Sequence, residues 1–267
     1  MIRLSEIIEE LERFAPPELK EPWDNVGLMV GDRSQKIEKV YVCLDLTTEN
    51  VRNAIDFGAN LIVSHHPLIF KPISSVTEDN PVASMIRRAI RHDVAIYSMH
   101  TNFDKTDGGM NDLLAQKLGL ENIRSFTAEE CIDENGIPFS PIGRFGELEM
   151  PMNLESFARY TKSLLGCTAL KYSGDLYEDI RTVDLCSGSG GREGMYAAYR
   201  SGADVYLTAD LKHDMAVTAY ELGLNMIDAG HFETENIICE FLTEFFETHF
   251  PELEVETSEA EPFYFSM

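Results

Sequence analysis

The sequence has few basic residues for its length. Its 267 residues include 22 Lys and Arg against 46 Asp and Glu, which gives a formal net charge of -24 at pH 7. Binding to nucleic acids or to anionic membranes depends on clustered Lys and Arg, so this composition argues against broad binding to either. The same acidic excess repels phosphorylated ligands unless metal ions or oriented amides offset it locally.

Long apolar stretches are also missing. Apolar runs such as Val40–Leu44 and Leu61–Val63 fall far short of the roughly 20 residues that a membrane-spanning helix needs. The first residues form an amphipathic and acidic segment, whereas a signal peptide begins with a basic region followed by an apolar one. We therefore expect a cytoplasmic protein with no membrane partner.

Cysteine pairs of the C-x-x-C type do not occur in the sequence. The cysteines are odd in number and scattered: Cys43, Cys131, Cys167, Cys186 and Cys239. This usage is typical of reduced thiols that pack in a core, and it argues against a disulfide framework or a thiolate metal site. The apolar fraction of 44% and the charged fraction of 25% are ordinary for a folded globular chain.

Short β-branched runs alternate with helical patterns along most of the chain. The predicted strands are Val40–Leu46, Leu61–Ser64, Val94–Ser98, Val183–Cys186, Val205–Thr208 and Asn225–Asp228. The predicted helices are Leu4–Phe14, Glu49–Phe57, Val82–Arg91, Met110–Leu118, Leu154–Leu164, Glu193–Arg200, Met215–Leu222 and Phe232–Phe246. This alternation predicts an α/β fold with mostly parallel sheets. Residues 121–140 lack periodicity, so we expect an N-terminal half over residues 1–125 and a C-terminal half over residues 126–267.

The two halves share an internal repeat. The matched segments are Phe57–His66 with Ser201–Asp210, and Val94–Asp104 with Asn225–Glu235. The second match pairs His100 with His231 and Asp104 with Glu235, so each half has a histidine and a carboxylate just after a strand. Because both matches occur in the same order, internal duplication is the better interpretation than chance.

Side chains that can bind metals follow the predicted strands. These candidates are His65, His66, His100, Asp104, His231 and Glu235. The carboxyl ends of parallel strands meet at one edge of a sheet, where ligands bind. His231 and Glu235 are four residues apart at a helix start, so both can reach one ion. The nitrogen and oxygen ligands suit Zn, Mn, Fe or Ni, and a carboxylate bridging two ions ~3.5–4 Å apart would activate water for hydrolysis.

Each of these features alone has a plainer interpretation. His231 and Glu235 can be a solvated surface pair, and His65-His66 can be a loop with one packed and one exposed ring. Ser187–Gly191 can form a nest of amides for an anion, although a tight strand-to-helix turn is the more economical interpretation. Trp23–Gly27 can border the pocket, or it can be a buried tryptophan with a turn. It is the co-occurrence of the histidines and carboxylates that favours a two-metal site.

Five segments resemble, in order, the signature blocks of the NIF-three-like family. They are WDNVGLMVG, GANLIVSHHPLIF, HTNFDKTDGGMNDLLAQKLGL, GADVYLTADLKHD and IDAGHFETE. Bacterial members are commonly named GTP cyclohydrolase 1 type 2 homologues. The resemblance implies two related, interlocked α/β halves with a dinuclear metal site between them, and a toroidal homohexamer. The metal ligands that it implies are His65, His66, Asp104, His231 and Glu235.

In the same resemblance His100 is a catalytic pocket residue, such as a proton shuttle, and not a metal ligand. Two positions depart from the family pattern. Many members have Thr-Gly-Asp where this chain has Thr208-Ala209-Asp210, and often Tyr-His where it has His213-Asp214. A role for His213 is therefore not carried over from the family.

The leading hypothesis is a metal-dependent hydrolase, of GTP cyclohydrolase type by resemblance, acting on a nucleotide or phosphorylated small molecule. Its cofactors would be two divalent ions per chain, of Zn, Fe or Mn. The alternative is a non-catalytic metal-binding ring that serves as a scaffold or binds partner proteins. A ring threaded by DNA ranks lowest because it needs a basic inner surface.

Overall fold

The fold alternates strands and helices along the chain. A computed structural model describes residues 2–140, 142–259 and 261–265. The helices are α1 (Leu4–Phe14), α2 (Thr48–Phe57), α3 (Pro81–Arg91), α4 (Thr101–Lys105), α5 (Met110–Lys117), α6 (Leu154–Leu165), α7 (Gly191–Ser201), α8 (His213–Leu222), α9 (His231–Glu235) and α10 (Ile237–His249). The strands are β1 (Ile2–Arg3), β2 (Gly27–Val30), β3 (Lys36–Ile37), β4 (Lys39–Cys43), β5 (Leu61–Ser64), β6 (Ala95–Ser98), β7 (Leu120–Arg124), β8 (Arg144–Asn153), β9 (Lys171–Ser173), β10 (Asp179–Leu185), β11 (Val205–Thr208), β12 (Asn225–Asp228) and β13 (Glu254–Thr257). The predicted α/β class is confirmed.

The chain divides into two compact units. Unit 1 consists of Met1–Thr106 and Ile238–Ala260, and unit 2 consists of Asp107–Ile237 and Glu261–Met267. The division differs from the boundary at residue 125 that the sequence predicts. Helix α5 belongs to unit 2 because it packs into that unit's core, and β7 belongs there because it pairs with β8.

Unit 1 is built on a five-stranded sheet in the order β13-β4-β5-β6-β2. The first four strands are parallel, and β2 at the edge is antiparallel to β6. Helix α2 is capped at its start by Thr47, whose side chain accepts a hydrogen bond from the Asn50 amide, and at its end by Gly58 in the left-handed region. The predicted parallel order is confirmed here, and it brings the ends of β5 and β6 side by side.

Unit 2 is built on a six-stranded mixed sheet in the order β7-β8-β10-β11-β12-β9. Strands β10, β11 and β12 are parallel, while β8 and β9 flank them as antiparallel neighbours. The parallel centre places the ends of β11 and β12 side by side, as in unit 1.

The core of each unit contains the apolar residues that the strand and helix patterns predict. In unit 1, Ile62 and Ile96 are buried against helices α2 and α3. In unit 2, Val183 and Leu207 are buried with Phe157 of α6. All five cysteines are buried as free thiols, which confirms their predicted packing role. Within the described residues, no helix combines the length and the apolar character that crossing a bilayer requires.

Candidate metal centre

In unit 1, candidate ligands leave the sheet at two neighbouring strand ends. The last residues of β5 and β6, Ser64 and Ser98, are paired in register, and their hydroxyl oxygens are 2.8 Å apart. His65 and His66 follow β5 directly, and His100 follows β6 and precedes α4. Because the two strands end at the same level, the three imidazoles are delivered to one edge of the sheet.

The three imidazoles form a compact group. The ring centroids of His65 and His66 are 5.0 Å apart, those of His65 and His100 5.1 Å, and those of His66 and His100 5.6 Å. One ring nitrogen from each residue lies within 4.8 Å of the others, which is close enough to hold one ion. His65 is fully buried, and its Nε2 lies 3.6 Å from Oδ1 of Asp104.

The Nδ1 atom of each of these histidines faces an oxygen acceptor. For His65 the acceptor is a backbone carbonyl, that of Met99, at 2.7 Å. For His66 it is Oδ1 of Asp45 at 2.7 Å. Carbonyl and ionised carboxylate oxygens only accept hydrogen bonds, so the proton sits on Nδ1 and the lone pair on Nε2. Metal-binding histidines in proteins are held in this way.

His100 has the most strongly held acceptor. Its Nδ1 donates to Oδ1 of Asp24 at 2.8 Å, and the amide and hydroxyl of Thr101 donate to Oδ2 of the same carboxylate. Burial raises the pKa of Asp24, but the hydrogen bonds from His100 and Thr101 outweigh burial and lower this pKa to about 2. Asp24 is therefore an anion at neutral pH and fixes the orientation of the His100 ring.

In unit 2, the candidate ligands lie on the short helix α9 that follows β12. Nε2 of His231 is 3.0 Å from Oε2 of Glu235, one turn further along. Nδ1 of His231 donates to Oδ2 of Asp210 at 2.8 Å, which orients the ring with Nε2 toward Glu235. Glu235 is 4% exposed, which takes its carboxylate out of bulk water. The predicted sharing of one helix face by His231 and Glu235 is confirmed.

The loop Ser187–Gly191 lies against this pair. A Cβ atom added to Gly188, whose φ is +55°, would be 2.0 Å from Oε1 of Glu235 and 3.0 Å from Nε2 of His231. Glycine is therefore required by both the backbone conformation and the space. The loop backs the ligand pair closely.

The same loop is poorly suited to bind an anion. The amides of Ser187, Gly188 and Gly190 already donate to side chains. Their acceptors are, in order, Asn111, Thr234 and Thr208. A nest for an anion needs amides that point at the ligand, so the plainer interpretation as a strand-to-helix turn describes this loop better.

Trp23 is 59% exposed, which overturns the interpretation of a buried tryptophan. Its ring centroid lies 6.2 Å from that of His100. Residues Trp23–Gly27 therefore border the histidine group, as the other interpretation states. His213 is exposed at the start of α8, and Asp214 accepts a hydrogen bond from Arg192, so neither belongs to a ligand group of unit 2.

Spacing in the sequence does not identify the carboxylates that orient the histidines. They are Asp24 for His100, Asp45 for His66 and Asp210 for His231. Asp24 and His100 are 76 positions apart, and no short-range pattern connects them. Asp210 lies just after β11, and the repeat sets it against His66 in the matched segments. This correspondence is the sequence signal that identifies Asp210.

The fold and these ligand groups define an α/β protein with candidate histidine and carboxylate metal sites. The family model Duf34/NIF3 (NGG1p interacting factor 3) matches residues 2–262. The chain belongs to this family, as its signature blocks indicate.

Curated relatives, among them two Clostridium proteins, carry the name GTP cyclohydrolase 1 type 2 homolog. The protein from Clostridium perfringens is 39% identical over 234 residues, which cover 88% of this chain and 87% of the relative. The protein from Clostridium acetobutylicum is 33% identical, with 88% of this chain and 85% of the relative covered. Both alignments therefore span most of each protein.

Solved structures share the fold. The Staphylococcus aureus protein SA1388 matches with a TM-score of 0.87 and 30% identity, covering 100% of this chain and 99% of that chain. A Bacillus cereus protein related to NIF3 matches with a TM-score of 0.86 and 27% identity, covering 99% of both chains. The NIF-three-like fold is thus common to this chain and these structures.

Proposed function

We propose that the protein is a dinuclear metal-dependent hydrolase that acts on a nucleotide or another phosphorylated small molecule. One observation carries the proposal. All four histidines after the strand ends, His65, His66, His100 and His231, hold Nδ1 against an oxygen acceptor, which leaves Nε2 as the nitrogen that can face an ion. Metal ligands and proton-transfer groups are oriented in this way, and in His66, His100 and His231 the acceptor is a carboxylate from a residue distant in sequence. The name of the curated relatives supports a small-molecule substrate.

The proposed ligands are divided between the two units. Unit 1 supplies His65, His66 and Asp104, and unit 2 supplies His231 and Glu235. That the two sets complete one centre with two divalent ions is part of the proposal. Zn, Fe and Mn all accept imidazole and carboxylate ligands.

When bound, the two ions would supply Lewis acidity and lower the pKa of a bound water toward neutrality. His100 would accept a proton at Nε2. The adjacent Asp24 carboxylate, held ionised by the contacts of its two oxygens, would stabilise the resulting imidazolium through Nδ1. Asp24 is thus a positioning residue, and His100 is the proposed catalytic one.

Metal content tests the centre directly. We expect about two ions per chain in purified protein, measured by elemental mass spectrometry, and a clear fall in Glu235→Ala. His92→Ala is the matched control, because His92 is exposed at the end of α3 and should leave the content unchanged. Wild-type protein without tightly bound metal would contradict the proposal. Near-UV circular dichroism checks that the variants keep their fold.

The role of His100 has its own test. His100→Ala should keep the bound metal and lose turnover, measured as phosphate or formate release across a nucleotide panel. A loss of metal in this variant would make His100 a ligand, which the close approach of its ring nitrogen to those of His65 and His66 permits. Full metal content with no turnover on any member of the panel would favour the scaffold alternative.

The proposal includes a cytoplasmic homohexamer, which the family resemblance implies. Native mass spectrometry of the metal-loaded protein should give six chains per particle. A stable dimer as the largest species would remove the ring from the proposal and leave the metal chemistry in place.

A further inference from the structure

Two large aromatic side chains lie exposed beside the histidine group of unit 1. Trp23 is 59% exposed and Phe70 is 43% exposed. Their ring centroids are 5.9 Å apart at an interplanar angle of 74°. An exposed pair of this size leaves apolar surface in contact with water, which costs free energy unless a ligand covers it.

Both rings also contact His100. The His100 ring centroid is 6.2 Å from that of Trp23 and 6.1 Å from that of Phe70, with interplanar angles of 72° and 86°. The other rings within reach of His100 are those of His65 and His66. The aromatic pair therefore continues the surface of the histidine group outward.

The two rings stand on segments that are tied together. The side-chain amide of Asn25 donates to the carbonyl of Ile69 at 2.6 Å, which joins the segments that carry Trp23 and Phe70. Lys20 donates to the carbonyl of Asp24 at 2.7 Å, and the Asp24 side chain holds His100. Trp23 is thus flanked by contacts that fix its backbone, although its side chain is exposed. A fixed backbone under an exposed ring is what a stacking surface needs, because little ordering remains to be done on binding.

Other exposed aromatic residues lack this setting. Tyr177 and Tyr220 are more exposed than Trp23, but neither belongs to a ring pair among the described residues. Only the Trp23–Phe70 pair, within the described part of the chain, joins exposed rings to a candidate metal ligand group.

We propose that Trp23 and Phe70 form a binding subsite for a planar heteroaromatic ring of the purine type. The ring stacks on the exposed aromatic faces, and the group that it carries extends toward His100. Stacking of a base on an aromatic side chain contributes about 1–3 kcal/mol and needs no cationic residue, which suits an acidic surface. The inference rests on the proposed function and assigns the part of the substrate that the aromatic pair holds.

Trp23 is the one tryptophan in the chain, so the indole fluorescence excited at wavelengths where tyrosine does not absorb reports on the subsite alone. Full-length protein, in metal-loaded and in metal-free form, is titrated with guanosine, with guanosine monophosphate and with ribose 5-phosphate. We expect guanosine and its monophosphate to quench the emission in both forms. Ribose 5-phosphate, which lacks the ring, should leave it unchanged.

Substitution of Phe70 tests the pair. Phe70→Leu should weaken guanosine binding at least about fivefold, which corresponds to the lower end of the stacking energy. Phe70→Tyr keeps an aromatic ring and should bind guanosine like the wild type. Tyr220→Leu, at an exposed aromatic position far along the chain, is the matched control and should bind like the wild type. Isothermal calorimetry gives the affinities independently of fluorescence.

Two results would overturn the inference. One is no quenching by guanosine in either form, or equal affinity in Phe70→Leu and wild type. The other is a blue shift of the emission that grows with protein concentration without ligand, since a second copy would then cover Trp23. If guanosine does not bind while two ions per chain are present, the inference fails and the proposed metal chemistry remains. If guanosine binds but the purified protein holds no metal, the subsite remains and the proposed metal chemistry fails.

Discussion

The two units carry their candidate ligands in similar places but in different surroundings. In unit 1, His65 is fully buried and His66 and His100 are partly buried. In unit 2, the side chains of His231 and of its orienting Asp210 are 37% and 55% exposed. An oriented ligand that is shielded from water loses less freedom and competes less with solvent when an ion binds. We therefore expect unit 1 to contribute more to metal affinity and unit 2 to determine how easily an ion leaves.

The largest expected effect comes from Gly188→Ala, which breaks the ligand pair of unit 2. The new Cβ would lie 2.0 Å from Oε1 of Glu235, so the carboxylate must move. We expect the variant to lose about one ion per chain, measured by elemental mass spectrometry.

Gly202→Ala is the control for that substitution. Gly202 also has a left-handed φ, of +77°, but a Cβ there meets nothing within 4 Å. Because alanine is strained at this φ, Gly202→Ala should lower the free energy of unfolding as Gly188→Ala does, but it should leave the metal content unchanged. Equal metal content in both variants would show that the loop does not support the ligand pair.

The next largest expected effect is a difference between the two units in how the free energy of unfolding depends on pH. Asp184 on β10 is fully buried and accepts a hydrogen bond from Ser201, and Tyr41 occupies the corresponding register position on β4. Burial raises the pKa of Asp184 to about 7, although the Ser201 hydrogen bond opposes the shift. Burial also raises the pKa of Tyr41, so that phenol stays neutral at neutral pH.

A carboxyl whose pKa is higher in the folded state stabilises the fold at low pH, and this stability is lost as pH rises through the folded value. For Asp184 the loss is at most about 4 kcal/mol of unfolding free energy between roughly pH 4 and pH 8. Asp184→Asn should abolish this share of the pH dependence in urea unfolding curves. Asp179→Asn, exposed on the same strand, should keep it. Parallel pH profiles for Asp184→Asn and wild type would refute the assignment.

The smallest expected effect is the loss of metal affinity when a carboxylate that orients a histidine is replaced. Asp45 holds His66 with its side chain 32% exposed, and Asp210 holds His231 with its side chain 55% exposed. Loss of such a partner lowers metal affinity about 10- to 100-fold. We expect Asp45→Asn near the upper end and Asp210→Asn near the lower end, measured by competition with a chelator. The reverse order would mean that exposure does not govern the contribution of these contacts.

Much of the α/β framework follows from the sequence. The strands Leu61–Ser64, Val205–Thr208 and Asn225–Asp228 have the predicted bounds. Strand β8 was not predicted, since Gly146 and Pro151 interrupt its alternation and its hydrogen-bonding partners are distant in sequence. The helix predicted over 232–246 is divided at Asn236 into α9 and α10.

Strand pairing also changes the correspondence between the halves. Ser64 pairs with Ser98 in β6, and Thr208 pairs with Asp228 in β12. If Ser64 corresponds to Thr208, as the repeat has it, His231 corresponds to Thr101 and not to His100. The sequence match is therefore one residue out of register after the strand. Periodicity locates the strands, but only their pairing fixes which residues leave them at the same level.

The order of the elements along the chain has a consequence for synthesis. Unit 2 contains one long continuous segment, Asp107–Ile237, whereas unit 1 receives α10 and β13 only after that segment has been made. Strand β13 pairs with β4, so the sheet of unit 1 stays without its edge strand while unit 2 emerges from the ribosome. Until then β4 presents an open edge to other chains. The protein is thus most prone to aggregation late in translation, when the long segment of unit 2 is already able to fold.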